Sequence, residues 1–294
     1  MRLAVERIAG GTRVVVQARG HWWDLTQAAA QDPEDGGAIR CDLDGWLRAG
    51  RLQAAVLDAL LDRADRAGRL AALRCEGPPK AVALPVRPGK IICIGRNYAA
   101  HAQETGHTPP KEPIFFAKAP SACIADGEPV LVQAEWGQID HEAELAVVIG
   151  RRARDVAAAA AQDYIAGYTL LNDVTAREMQ QTDIERGHPW FRSKSLDTFC
   201  PMGPVLVLPD EMPWPVEVDI SLTVNGAVRQ ESNTRQFLFT IPEVLAYVTR
   251  FLTLEPGDVI ATGTPEGIGP VRPGDTMEVR IPEIGVLRTP VAAR

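Results

Sequence analysis

The sequence has no C-x-x-C pair, no long apolar run and no excess of basic residues. Its five cysteines, at 41, 75, 93, 123 and 200, are odd in number and widely scattered. That excludes a disulfide framework or a cysteine-rich zinc site and predicts small, buried, reduced thiols. No apolar stretch nears the roughly 20 residues that span a bilayer. The opening residues M-R-L-A-V-E-R-I-A-G-G carry no apolar core of a leader, so a cytoplasmic protein is expected. A net charge of -7 over 294 residues argues against a nucleic-acid partner, although one local cation can still serve a small anionic substrate. Neither G-x-x-x-x-G-K-[ST] nor G-x-G-x-x-G after a strand occurs, which leaves no nucleotide-binding signature.

What is present is ordinary globular composition, 46% apolar and 23% charged. Short strands are expected over 3–8, 13–18 and 21–25, separated by glycine turns, with a loop over 28–40. Leu52, Val56, Leu60 and Ala64 follow helical spacing up to Gly68. The first 75 residues gather no catalytic side chains. Four prolines between Gly77 and Gly89 predict an extended linker. The boundary falls at residue 80: a small N-terminal α/β domain over 1–80 and the catalytic domain over 81–294.

The chemistry concentrates between Asp140 and Asp197. Asp140, Glu142 and Glu144 alternate on what reads as one face of a strand entering a core through L-A-V-V-I. Three dry carboxylates on one face repel one another, which a divalent cation would compensate. A polar strand end in solvent is the competing reading. An Ala-rich helix is expected over 151–164, then a strand ending at Asp173, itself a turn residue, a helix cap or a ligand. Arg177 and Gln180 follow at helical spacing, so one helix start would aim a carboxylate, a guanidinium and an amide at one point. Lys194, after Trp190 and Phe191, is a solvated charge or a half-buried lysine directed at the acids. Arg192 is its outward alternate. An all-oxygen donor set suits Mg²⁺ or Mn²⁺, with Ca²⁺ as an alternative, better than Zn²⁺.

Outside that stretch, His101 and Glu104 share a face of a short helix closed by Gly106. They form a base and its orienting acid, or an exposed pair. Lys118 ends a strand and reaches a site edge or solvent. The G-T-P-E-G-I-G block reads as a tight loop with free backbone N–H groups that suit an anion.

Six blocks in order, I-G-R-N-Y-A-A-H-A-Q-E, D-H-E-A-E-L-A-V-V-I-G, G-Y-T-L-L-N-D-V-T-A-R-E-M-Q, K-S-L-D-T-F-C-P-M-G-P, V-N-G and L-E-P-G-D-V-I-A-T-G-T-P-E-G-I-G, resemble the fumarylacetoacetate hydrolase family over roughly residues 90 to 291. The resemblance implies an α+β, mostly β fold, a mixed β-roll around a central metal, and a homodimer. It matches Glu142, Glu144 and Asp173 to metal ligands and His101 with Glu104 to a water-activating pair on a lid. Lys194 matches the residue that polarises the substrate. Arg177 and Gln180 match substrate-side positions, and Thr264 a threonine near the substrate carboxylate. Asp140 is left as a supporting residue. The implied activity is metal-dependent hydrolysis of a C–C bond in 2,4-diketo acids (acylpyruvates), the enolate held by the metal. Decarboxylation of oxaloacetate-like acids or isomerisation of unsaturated 2-oxo diacids, of the 2-hydroxyhepta-2,4-diene-1,7-dioate type, are the alternatives. A non-catalytic small-acid binder is the remaining reading.

Overall fold

The computed structural model describes residues 1–32 and 42–294; Cys41 and most of the expected loop over 28–40 lie outside them. The chain opens with β1 (Arg2–Ile8), β2 (Gly11–Ala18) and β3 (His21–Asp24). Asp24 ends β3 by accepting the Gln27 N–H at 2.8 Å. Helix α1 (Leu25–Ala30) therefore begins where the sequence suggested the strand's last residue and the start of a loop. Helices α2 (Leu43–Arg48) and α3 (Ala54–Arg66) follow, the latter burying Leu57, Leu60, Leu61 and Ala64.

Past the proline-rich segment come β4 (Ile91–Gly95), α4 (Ala99–Glu104), β5 (Ile114–Lys118), β6 (Cys123–Ile124), β7 (Val130–Val132), β8 (Ile139–His141) and β9 (Ala143–Ile149). Then follow β10 (Ile165–Asn172), β11 (Thr175–Ala176), α5 (Arg177–Glu185), α6 (Phe191–Lys194) and β12 (Cys200–Val207). The chain continues through β13 (Asp219–Val224), β14 (Ala227–Asn233), α7 (Ile241–Thr249) and β15 (Val259–Ala261), and ends with β16 (Gly269–Val271), β17 (Thr276–Ile281) and β18 (Gly285–Ala293).

The expected α-helix over 151–164 does not form. Only Ala158–Tyr164 is helical, as a 3₁₀ segment. Before it, the Ala153 N–H and carbonyl both bond to Leu254, and the Asp155 N–H bonds to the Thr249 carbonyl with Asp155 at φ 51°. Tertiary partners for these backbone groups outweigh the helix propensity of alanine.

The main sheet runs β3-β2-β1-β12-β10-β9-β15-β4-β5, with β6 added beside β12. The N-terminal strands belong to it, since Leu3 of β1 stands opposite Leu206 of β12. Alternation divides its apolar residues between two cores. Cys93, Ala146 and Val148 pack with Leu57, Leu60 and Leu61 of α3. Ile92, Ile94, Leu145 and Val147 face the opposite core with Leu222, Val279 and Leu287. Those three belong to a five-stranded sheet, β14-β13-β17-β18-β7. Asn225 and Gly226 join β13 to β14 with φ 52° and 80°, the doubly left-handed turn that a tight hairpin needs. All seven residues of β9 are buried, as befits a strand covered on both faces.

A third sheet, β11-β8-β16, is small. It draws together chain segments near 140, 175 and 270, beside the ends of β9 and β10. Cys93 and Cys200 are buried free thiols; Cys75 and Cys123 are half-buried and also free. No described helix is long and apolar enough to cross a membrane.

Candidate active site

Two neighbouring strands bring the acids together. In the antiparallel register of β9 and β10, Glu144 lies opposite Leu171 and Ala143 opposite Asn172. Glu144 and Asp173 therefore emerge side by side. Glu142, in the break between β8 and β9, is fixed through its backbone: its N–H donates to Asn172 Oδ1 at 2.9 Å and its carbonyl accepts the Asp173 N–H at 2.8 Å. Each of the three carboxylates offers an oxygen within 4.8 Å of the other two, and all three residues are buried.

Asp140 does not join them. It lies on β8 in the small sheet, where its carboxylate accepts from Arg177 Nε at 2.7 Å and Gln138 Nε2 at 2.8 Å. The single acidic strand face suggested by the alternation is broken at Glu142, where the chain passes from one sheet to another. Asp173 likewise is not on the helix of Arg177 and Gln180. That helix starts at Arg177, with Ala176 as its cap and β11 in between. Asp173, Arg177 and Gln180 still line one pocket, although Arg177 does not bond Asp173. Its guanidinium bonds Asp140, Glu142 and, at 2.6 Å, Gln180 Oε1.

Two buried lysines complete the centre. Lys194, at the end of α6, donates to Glu142 Oε2 and to Asp173 Oδ2, both at 2.7 Å. Lys118, at the end of β5, donates to Asp173 Oδ1 at 2.6 Å and to the Val174 carbonyl at 3.2 Å. Lys118 thus reaches the site, through Asp173, and is not solvated. Arg192 turns outward onto Asp183 at 2.8 Å.

Above the acids, His101 on α4 is buried while Glu104 stays partly exposed. Glu104 Oε2 lies 3.5 Å from His101 Nδ1, which has no hydrogen-bond partner. The glycine-rich loop spends its amides on the protein's own acids. The Gly267 N–H donates to Glu104 Oε1 at 3.0 Å and the Gly263 N–H to Glu144 Oε2 at 2.8 Å. Gly267 has φ 91°, and a Cβ there would run into the Arg229 carbonyl oxygen. Thr264, between these glycines, accepts from Gln230 Nε2 at 2.8 Å. His101, Thr264, Arg177, Gln180, Lys194 and the three acids all line one pocket of about 220 Å³.

The same segments align with a described family. The model for the C-terminal region of fumarylacetoacetate hydrolase matches residues 90–292. The chain belongs to the fumarylacetoacetate hydrolase family. The mitochondrial oxaloacetate tautomerase FAHD1 of Bos taurus is 44% identical over 191 residues, covering 65% of this chain and 86% of that protein. The fumarylacetoacetate hydrolase of the psychrophile Exiguobacterium antarcticum has TM-score 0.82 and 34% identity over 100% of both chains. A fumarylpyruvate hydrolase from Pseudomonas aeruginosa, solved with Mn²⁺ and pyruvate, has TM-score 0.67 and 35% identity, covering 73% of this chain and 93% of its own.

In this member of the fumarylacetoacetate hydrolase family the three acids are unequally neutralised. Burial opposes the charge of Glu142, but Lys194, Arg177 and His101 overcome it and hold its carboxyl well below the usual range. Burial, reinforced by the Asp173 charge, pushes Glu144 well above that range, and the Gly263 N–H offsets this only in part. A buried, anionic, all-oxygen donor set with one under-compensated member fits a hard divalent cation. Burial also opposes the charge of Lys194, yet Asp173 and Glu142 raise its value. Burial lowers His101, with Lys194 and Arg177 adding to the effect against Glu142 and Glu104.

Of two further supports in this site, sequence reading left Lys118 between a site edge and solvent and did not single out Gln230. Lys118 carried a strand-end signal, but only the pairing of β5 with β4 turns it inward. Gln230 stands in an exposed-looking stretch, R-Q-E-S-N, yet is buried. Its side-chain oxygen accepts the Ala143 N–H at 3.0 Å and lies 3.2 Å from His141 Nδ1, while its amide holds Thr264. Its period-2 position between exposed neighbours was the one available signal.

Proposed function

We propose that this protein is a divalent-metal-dependent hydrolase of 2,4-diketo acids, cleaving the C3–C4 bond of an acylpyruvate to two acids. The observation that carries the reading is a buried histidine, its Nδ1 without a hydrogen-bond partner, lining one pocket with a carboxylate cluster. Glu142, Glu144 and Asp173 would hold Mg²⁺ or Mn²⁺, which supplies Lewis acidity to a 2-oxo acid head. His101 takes a proton from water, and Glu104 steadies the imidazolium that results. The gap of 3.5 Å between them is of the kind that tightens when substrate binds. The water oxygen attacks C4, and Lys194, a fixed cation, stabilises the charge that develops. When the bond breaks, the acyl part leaves as a carboxylic acid and His101 returns its proton to C3. Thr264 accepts from Gln230, so its own hydroxyl proton is free for the substrate carboxylate. Arg177 and Gln180, locked together, flank the same space.

A second reading is favoured by the 44% identity to a relative named an oxaloacetate tautomerase. There His101 would move a proton at C3 without an attacking water, in tautomerisation or decarboxylation of an oxaloacetate-like acid. Residues 1–80 are read as a supporting unit, because none of its described residues lines the pocket. A homodimer is part of the proposal, checked by sedimentation.

The test is a panel of 2-oxo acids with Mg²⁺ or Mn²⁺ present, read by product NMR. Two carboxylic acids support hydrolysis. A faster approach to keto–enol equilibrium, or release of CO₂, moves the assignment to the second reading. No turnover of any member with either metal sinks both.

A further inference from the structure

Two of the free cysteines face each other. Cys123 of β6 and Cys200 of β12 stand opposite in the parallel pairing of the two strands. Neighbouring strands lie about 4.8 Å apart, inside the roughly 4.4–6.8 Å between Cα atoms that a disulfide bridges. Both side chains point the same way: Cys200 belongs to the core that contains Leu57 and Leu61 of α3, and Cys123 packs against that core. The pair also joins two segments that serve the site. Cys123 follows Lys118 across the short 3₁₀ turn Pro120–Ala122, and Cys200 follows Lys194. Both lysines are bonded to Asp173, and the Ala119 N–H ties their segments together by donating to Ser195 Oγ at 3.0 Å.

The two thiols are not equivalent. Cys123 is half-buried, whereas Cys200 is buried completely. A hydrogen bond from Cys200, helped by the Lys118 charge, outweighs burial and holds the Cys123 thiol below its ordinary value. The same bond, together with burial, pushes Cys200 well above it. Cys75 is half-buried as well, but burial raises its thiol. Peroxides react with a sulfur that solvent can reach and that its surroundings stabilise as thiolate. A second thiol in contact with that sulfur is placed to close a disulfide on it.

We propose that Cys123 and Cys200 are a reversible oxidation site: a hydroperoxide oxidises Cys123, Cys200 closes the disulfide, and the bond staples the Lys118 segment to the Lys194 segment. The Cys123 sulfur attacks hydrogen peroxide, takes one oxygen as a sulfenic acid and releases water. The Cys200 sulfur then attacks the Cys123 sulfur, and the displaced hydroxyl leaves as water with the Cys200 proton. The two thiols lose two electrons and two protons in all, and the peroxide becomes two waters. Without Cys200 the sulfenic acid goes on to a sulfinic acid, which a thiol reductant does not reverse.

The test exposes the intact protein to hydrogen peroxide, blocks the remaining thiols with N-ethylmaleimide in denaturant and maps the unreduced digest by mass spectrometry. The expected product is a peptide pair joining Cys123 to Cys200, two hydrogens lighter than its reduced parts and released by dithiothreitol, with Cys75 still alkylated. The linked protein should melt about 5 °C or more above the reduced one, since the bond closes a long loop. In Cys200→Ser, dimedone should capture Cys123 as the sulfenic acid, and excess peroxide should carry it to a sulfinic acid that dithiothreitol leaves in place. In Cys123→Ser, Cys200 should remain a free thiol. The proposal is overturned if Cys123 stays free while Cys75 is oxidised, or if Cys200 is oxidised at the native rate in Cys123→Ser. A linked pair with no rise in melting temperature overturns the staple. The map is made on the native chain, so it decides the matter even where a variant fails to fold.

Discussion

Lys118 Nζ lies 2.6 Å from Asp173 Oδ1, and neither side chain reaches solvent. The lysine comes from the end of β5 and the acid from the end of β10, so the contact ties two strands of the main sheet at the floor of the site. Replacing Lys118 removes one of the two buried lysines that compensate Asp173. Lys118→Met should therefore lower stability by about 3–5 kcal/mol. Urea unfolding measures it; a change below about 1 kcal/mol would show that Lys194 alone suffices for Asp173.

Cation binding should appear as added stability. At about 100 times its Kd, Mg²⁺ or Mn²⁺ should contribute about 2.7 kcal/mol, seen as a rise in melting temperature over the chelator-treated protein. Glu144→Gln should remove most of that rise. An unchanged melting temperature at millimolar metal would falsify the cation site.

His101→Ala should reduce kcat by about 10²- to 10⁴-fold with metal titration unaltered. Burial keeps the imidazole value below its ordinary 6.5, so the base is already free at neutral pH. The acid limb of the rate profile should then fall below that value. The same shift has a stability consequence: the folded form resists protonation, so the contribution of His101 is whole above about 6.5 and is lost as pH falls from there towards the folded value. An acid limb above 6.5 would assign the titration to another group.

On the proposed function Gln230 acts on substrate through the Thr264 hydroxyl that it holds. Thr264→Ala and Gln230→Ala should each raise KM about 10-fold, the size of one hydrogen bond, with kcat less affected. The double variant should cost little more than either single one, since both remove the same contact. Additive losses would separate the two residues.

The sequence carried the centre's members and misjudged how they meet. Glu142, Glu144 and Asp173 were visible because strand ends beside apolar runs leave a short signature. The common face read for Asp140, Glu142 and Glu144 was wrong, since a switch between sheets at Glu142 has no local signal. Lys118 was left between a site edge and solvent, and Gln230 was missed, because the partners that hold them inside, Asp173 for the one and Ala143 and Thr264 for the other, are distant in sequence. Over 151–164, Ala153 and Asp155 take backbone partners from Leu254 and Thr249, which no local window contains, and only 158–164 coils, as a 3₁₀ segment. The glycine loop was rightly expected to offer its amides, but its partners are Glu104 and Glu144.

The sheet order has a consequence for how the protein is made. Strands β1 to β3 leave the ribosome first, yet β1 is paired by β12, whose residues come about two hundred positions later. Leu3, Val14 and Val16 share a core with Leu25 and Leu57 of the early helices and with Leu206 of β12, so that core stays incomplete until then. The earliest part of the chain is therefore among the last to be locked in. A nascent chain stalled before Cys200 should expose this hairpin to chaperones and proteases, and one released past Val207 should not.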